Sequence, residues 1–413
     1  MTFSRASRWA PGLLISVALL SGCTATPTPS ATSLRPRPSA SADSHTLFDA
    51  TGVALEFPVV DLAAAEPLTL PEVARITPPR PGADRTILLA LGSDKALVAI
   101  SPAENYGNAE FVKSTRAGLL SDDGTVDLFQ DTSNIRSDGL PRQTYAGDVD
   151  EQWAVWMETS STNMYESNWR LFAREIDGGQ PVLIAAAEEQ RAAATTMLPL
   201  LEGDPVPRLS NGLVWWWTAH EQPDGTFRTR ILAADPAGGD PLEMLPLGGR
   251  LSPVTDGIVA VQNSVVGDPD AINPLQPTGL VLIDTTGKVT DLVRFTPDLE
   301  DGSGIGSLAS DGDIVAMVMG DAVMILDTSG TPIAQIPVPE NLDLWEVAVC
   351  AGKVVFAPST AAGGDKVMIY NTTTRTLAAI DVPKAAPGVY CSDQRIAWTS
   401  IDDHWSTYTI ATW

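Results

Sequence analysis

Basic residues, cysteine, histidine and long apolar runs are all scarce in this chain of 413 residues. Only 26 Lys and Arg stand against 51 Asp and Glu, a formal net charge of -25. That excess of acid excludes a nucleic-acid footprint, because a second polyanion would be repelled. No run approaches the roughly 18 apolar residues that a membrane-spanning helix needs. With three His, three Cys, no HExxH and no paired CxxC, little is left to build a zinc site. A G-x-S-x-G elbow, a phosphate-binding loop and a dinucleotide fingerprint are also missing. What remains is a globular composition, with 44% hydrophobic and 19% charged residues.

The N-terminus reads as an export signal over residues 1–22. Arg5 and Arg8 precede a short apolar core that runs from Pro11 to Leu20. The next residues, Leu20-Ser21-Gly22-Cys23, resemble the lipobox of bacterial lipoproteins. The resemblance implies that Cys23 is lipidated and becomes the mature first residue, anchoring the protein to the extracytoplasmic face of the cell membrane. Residues 24–45 are rich in Thr, Ser, Pro and Ala and cannot bury enough surface to fold. With Cys23 they form a tether, and 22 residues at about 3.1 Å each could reach roughly 70 Å. Residues 1–45 hold four Arg and one acid, so residues 46–413 carry 22 basic and 50 acidic residues.

From residue 46 onward, short β-rich runs alternate with Pro and Gly. Only Ala185 to Met197 suggests helix, as a turn or more within a loop. Seven apolar runs recur at intervals of 40 to 60 residues, beginning at Ala96, Trp153, Leu213, Ile258, Ile314, Val354 and Ile396. Such a period is the signature of a repeat architecture. Asp-Gly or Asn-Gly turns precede several of the runs. Turns such as Asp284-Thr285-Thr286-Gly287 and Asp327-Thr328-Ser329-Gly330 follow in step. Residues 252–295 parse into four strands, SPVT, GIVAVQ, GLVLID and KVTDLV. Consecutive antiparallel strands of this kind make one propeller blade, whose inner strands are apolar on both faces because each blade lies between two others.

The segments LVLIDTTGK (280–288) and VMILDTSGT (323–331) resemble the strand-and-turn core of quinoprotein-type propeller repeats. Both lack the Trp that usually follows there, so a quinone cofactor does not carry over. The Trp-Asp dipeptide of the otherwise similar WD-repeat propellers is absent. The expected fold is all-β, a seven-bladed propeller of four-stranded antiparallel blades, with six or eight blades as alternatives. The last repeat is one strand short, and Val53 to Val60 (VALEFPVV) is expected to supply the missing strand and close the ring.

In a four-stranded meander the connections after the second and fourth strands share one face, and here that face takes all the length variation. Long loops on a rigid scaffold are where binding groups are displayed. The candidate ligand-binding residues there are Tyr106, Tyr165, Trp169, His220, Glu221, Asp268, Asp270, Asp402, Asp403, His404 and Trp405. Aromatics with scattered carboxylates suit sugars, cationic groups or protein partners. Asp298, Glu300 and Asp301 are oxygen donors beside a Gly turn but lack full calcium-loop spacing. Ca2+ is thus a possible ligand, and no cofactor is otherwise expected. Cys350 and Cys391 end equivalent strands of neighbouring repeats, which suits a disulfide in an exported protein. Without a catalytic signature, the sequence points to a binding or scaffolding module for a protein, peptide or glycan ligand. The alternative is an enzyme of glycosidase, lyase or lactonase type acting at the long-loop face.

Overall fold

A computed structural model describes residues 46–77, 83–102, 115–161, 166–191, 197–201, 205–265, 275–295, 305–360, 363–402 and 405–413. Cys23 and the whole tether lie outside this set. Among the described residues the architecture is all-β apart from single 3-10 turns at Leu62–Ala64 and Ala187–Gln190. The second of these is what the described residues show of the helical turn expected within 185–197. None of the described helices is long and apolar enough to cross a membrane.

The strands form antiparallel meanders of four. One contains Arg85–Leu91, Lys95–Ser101, Arg116–Ser121 and Val126–Leu128. The meander expected over 252–295 is present as Gly248–Val254, Gly257–Val265, Leu275–Asp284 and Val289–Phe295. Each of the seven apolar runs lies in the second strand of a meander. These strands are buried on both faces: Val214, Trp215 and Trp216 are fully enclosed, as are Ile258, Val259 and Ala260. Apolar clusters sit between sheets. One joins Val155, Met157, Trp169 and Leu171 to Leu209, Val214 and Trp216, and another joins Trp215, Trp217 and Ile231 to Ile258, Ala260 and Val281. The first strand of each sheet lies beside the first strand of the next, and Thr376–Cys391 lies beside Arg85–Leu91. Sheets twisted around neighbouring inner strands in this way give a propeller-like architecture.

The turn chemistry follows the sequence. Asp284 accepts from the Thr286 amide at 2.8 Å, the Thr286 hydroxyl at 2.6 Å and the Lys288 amide at 3.0 Å. Gly287 supplies the positive φ of +83° that the turn requires. Asp327 and Gly330 repeat the arrangement.

The closing strand differs from the expectation. Glu72–Ile76, not Val53 to Val60, pairs with Trp405–Thr412, in the register Ala74↔Ile410 and Ile76↔Tyr408. Val53 and Val59 are 62% and 68% exposed, and Pro58 withholds an amide from any ladder. The segment instead belongs to a strap along outer sheet edges. Leu47–Phe48 pairs with Val289–Phe295, Val59 bridges Gln335 in parallel, and Glu66–Pro67 pairs with Ala378 and Ala379. Leu55 and Phe57, then Val60 and Leu62, then Leu68 and Leu70 pack on three successive apolar clusters. The strap covers edges that would otherwise present unpaired backbone groups. A second clamp ties the chain ends together. Buried Arg395 donates from Nε and Nη2 to the Gly92 carbonyl at 3.1 and 2.6 Å, and from Nη1 to Asp122 at 2.5 Å.

Cys350 and Cys391 form a disulfide with their Cα atoms 5.9 Å apart. It joins the ends of two neighbouring first strands.

Candidate functional site

The first strands are irregular in a repeated way. Register shifts fall at Leu88/Ala90, Thr144/Ala146, Gly248/Leu251, Ile305/Ser307 and Ala386/Val389. A bulge leaves one residue unpaired and re-aims its side chain. Tyr145 and Arg250 fall at two of these shifts: Tyr145 is 45% exposed, and Arg250 donates from Nη1 to the Ile305 carbonyl at 2.6 Å and to the Gly306 carbonyl.

Three charged groups on these strands come within electrostatic range of one another. Arg208 opens the short strand Arg208–Ser210 and is half-buried. Asp148 accepts from the Leu209 amide at 2.9 Å and its neighbour Val149 at 3.0 Å. Burial pushes the Asp148 carboxyl above its ordinary range, against the opposing pull of Arg208 and these amides. Glu346, just before Val347–Cys350, is likewise raised by desolvation, while the Val389 amide and Arg208 hold it down. By surface area Glu346 is exposed. Tyr390 lies beside it, raised well above the usual phenol range by burial and by Tyr408 and Glu346. The Tyr390 and Tyr408 rings meet edge-on at 6.3 Å. Perturbed groups gathered in one internal space are a functional-site candidate on physical grounds.

The neighbouring segment is Asp343 to Trp345. Asp343 and Ser359 exchange backbone hydrogen bonds of 2.7 and 3.0 Å, which fixes it on the long-loop side. Trp345 is 61% exposed.

The long-loop face also carries an ion-pair network. Arg142 and Arg170, both nearly buried, share Asp138 at 2.6 and 3.1 Å, and Arg136 pairs with Glu189. Burial opposes ionisation of Asp138, but the Leu140 amide and the two guanidinium groups hold its carboxyl below the usual range. Buried Glu158 accepts from the Thr132 hydroxyl at 2.9 and 2.7 Å and from Trp156 Nε1 at 2.8 Å. Burial nevertheless raises its carboxyl, outweighing those donors. Folding therefore tightens proton binding at Glu158. Its contribution to stability is present below the unfolded carboxylate pKa and is lost as pH rises through the folded one. Glu158→Gln, which keeps an acceptor for Trp156 and a donor toward Thr132, should be neutral near about pH 4 and gain in Tm over the parent as pH approaches about 8. Melting both proteins across that range checks this, and a parent that gains on the variant with rising pH would contradict it.

The sequence-derived candidates do not converge as one site. Trp169 is buried at 1% exposure and packs with Met157 and Trp216, so it has no surface to offer a ligand. His220 is half-exposed, its Nδ1 3.0 Å from the Arg228 carbonyl and its Nε2 2.5 Å from Gln222. Burial, and then the charge of Arg230, lower its pKa. Glu221 lies 3.7 Å from Arg191. Asp402 and Trp405 face each other in backbone register at the last hairpin. Tyr106, Tyr165, Asp268, Asp270, Asp403, His404 and the trio Asp298, Glu300 and Asp301 lie outside the described residues. Among the described residues, no three His, Cys, Asp or Glu side chains are placed to hold a metal ion. A cleft of about 220 Å³ on the opposite face is lined by Asp256, Asp284, Lys288 and Asp313, and Asp284 is already engaged in its turn. Sequence reasoning missed Arg208, Asp148 and Glu346, whose only signal is a charged residue in or beside a first strand.

No family model matches the chain, and no curated protein matches it. Several solved structures are similar in chain path. Oligogalacturonate lyase from Vibrio parahaemolyticus is 11% identical with a TM-score of 0.49, over 82% of this chain and 92% of that one. The Neurospora crassa Pan2 WD40 domain is 12% identical with a TM-score of 0.44, over 84% and 97%. A puromycin-hydrolyzing peptidase from Mycobacterium tuberculosis is 14% identical with a TM-score of 0.47, over 80% of this chain. The chain spans about half of that peptidase, 53% of its length. The architecture rests on the strand pairing of the chain itself.

Proposed function

We propose that residues 46–413 form a seven-bladed propeller closed by Glu72–Ile76, held at the extracytoplasmic face of the cell membrane by lipid on Cys23. It works as a binding or scaffolding module whose ligand, a protein, peptide or glycan, docks at the long-loop mouth of the space between the inner strands. The side-by-side order of the first strands and the pairing of the last sheet with residues 72–76 support the closure. The observation that carries the binding reading is Trp345, an aromatic held out at 61% exposure in a chain that buries most of its other tryptophans. Exposed aromatics anchored by a rigid scaffold are typical binding hot spots.

A panel of envelope glycans and short peptides, titrated against the full chain and read by intrinsic fluorescence, tests this reading. Saturable binding that falls at least tenfold in Trp345→Ala supports it. Binding that is indifferent to Trp345 refutes the mouth as the site. Anchoring is read separately: Cys23→Ala should release the protein from the membrane fraction.

A second reading, a hydrolase or lyase using the same space, is favoured by one observation. Burial biases Asp148 and Glu346 toward the protonated form, as a general acid requires. Product formation from a glycan in the panel, abolished by Asp148→Asn or Glu346→Gln, would replace the binding reading.

A further inference from the structure

We infer that the ligand presents a carboxylate, and that Arg208 receives it. This rests on the binding reading above and gives it a chemical class. Acids outnumber bases by more than two to one in residues 46–413, so a withdrawn arginine has little difficulty in finding a partner. The others have done so. Arg142 and Arg170 share Asp138, Arg395 meets Asp122, and Arg250 binds the Ile305 carbonyl. Arg208 is also half-buried, yet its side chain makes no hydrogen bond or ion pair among the described residues. Two carboxylates are within electrostatic range of it, but their oxygens are turned elsewhere. Asp148 accepts from the Leu209 and Val149 amides, and the Val389 amide lies close enough to Glu346 to hold its carboxyl down.

A partly desolvated guanidinium with its donors idle is costly unless something fills them. Its planar fork matches a carboxylate or phosphate in two parallel hydrogen bonds. The surroundings choose between these. One guanidinium balances a monoanion, whereas a phosphate bearing close to two charges would leave excess negative charge facing two acids. Burial pushes the Asp148 and Glu346 carboxyls toward the protonated form, which lessens that repulsion. Tyr145 and Trp345 lie farther from the first hairpin turns, toward the long-loop end, where they can cover an apolar or ring-shaped remainder of the ligand.

The test uses the full chain in detergent with defined probes: glucuronate for an acidic sugar, N-acetylalanine for a peptide C-terminus, glucose and N-acetylalaninamide as neutral counterparts, and inorganic phosphate. Calorimetric titration is expected to show millimolar binding of at least one carboxylate and at least tenfold weaker binding of its neutral counterpart. Arg208→Gln should remove the preference, and Arg208→Lys should restore part of it without the full fork. Whichever carboxylate binds identifies its source. The inference is overturned if neither carboxylate binds, if phosphate binds as tightly, or if Arg208→Gln leaves carboxylate affinity unchanged. A neutral probe that binds and is lost in Trp345→Ala but not in Arg208→Gln would keep the mouth as the site and discard the carboxylate.

Discussion

Deleting residues 46–76 from the chain is expected to abolish a single cooperative unfolding transition. The deletion strips the partner from Trp405–Thr412, whose Tyr408 and Ile410 are buried against it, and leaves the last sheet with an open edge. Arg395 and the apolar cluster that joins Leu88 and Val98 to Ala397 and Ile410 would then be the remaining links between the ends of the chain. Point substitutions separate closure from mere coverage. Ile76→Asp places a carboxylate at an 8% exposed position opposite Tyr408 and should cost about 3 kcal/mol. Val59→Asp, at a position 68% exposed, should change stability by no more than about 0.5 kcal/mol. Denaturant titration of the two variants decides the matter: equal costs, or a larger cost at Val59, would return closure to the segment the sequence suggested.

Opening the disulfide is the second large expected effect. The bridge closes a sequence separation of 41 residues, so a chain-entropy account assigns it about 4 kcal/mol. Its location adds a local reason. Cys350 and Cys391 end neighbouring first strands, and the second of these strands belongs to the sheet that residues 72–76 complete. Cutting the bridge therefore loosens the wall next to the closure. Oxidised and reduced protein should differ by about that amount in denaturant midpoint analysis, and the Cys350→Ala/Cys391→Ala pair should behave like the reduced form. Alkylation of both cysteines in the native, unreduced protein would defeat this expectation.

Much of the framework was legible in the sequence, because second strands packed on both faces cannot hide. Runs such as Val214-Trp215-Trp216-Trp217 have no polar alternation, and Asp284 and Asp327 announce their turns through side chains that bond to the backbone two and four residues on. The closing strand was not legible. VALEFPVV is more apolar than EVARI, yet an outermost strand is half-exposed and needs no apolar run. The strap length, not local pattern, delivers residues 72–76 to the last sheet. The site was less legible still. Trp169 looked available because loop aromatics often are, but it is covered by Met157 of its own sheet and Trp216 of the next. Arg208 sits in a three-residue strand with no motif around it, and its unpaired state depends on where Asp148 and Glu346 turn their oxygens. Bulges that aim Tyr145 and Arg250 are facts of register, which composition does not encode.

The strap sets how the molecule would bear load. Leu47 stands opposite Phe295, at the long-loop end of an outer strand, so the chain leading in from residue 45 joins the head at that rim. Any tension along this leader must first peel Leu47–Phe48, then the contact at Gln335, then Glu66–Pro67, before it pulls on Glu72–Ile76. Each step sacrifices a few backbone bonds on the periphery. Glu72–Ile76 yields last, so force entering from the N-terminal side meets a graded series of peripheral contacts before it reaches the last sheet.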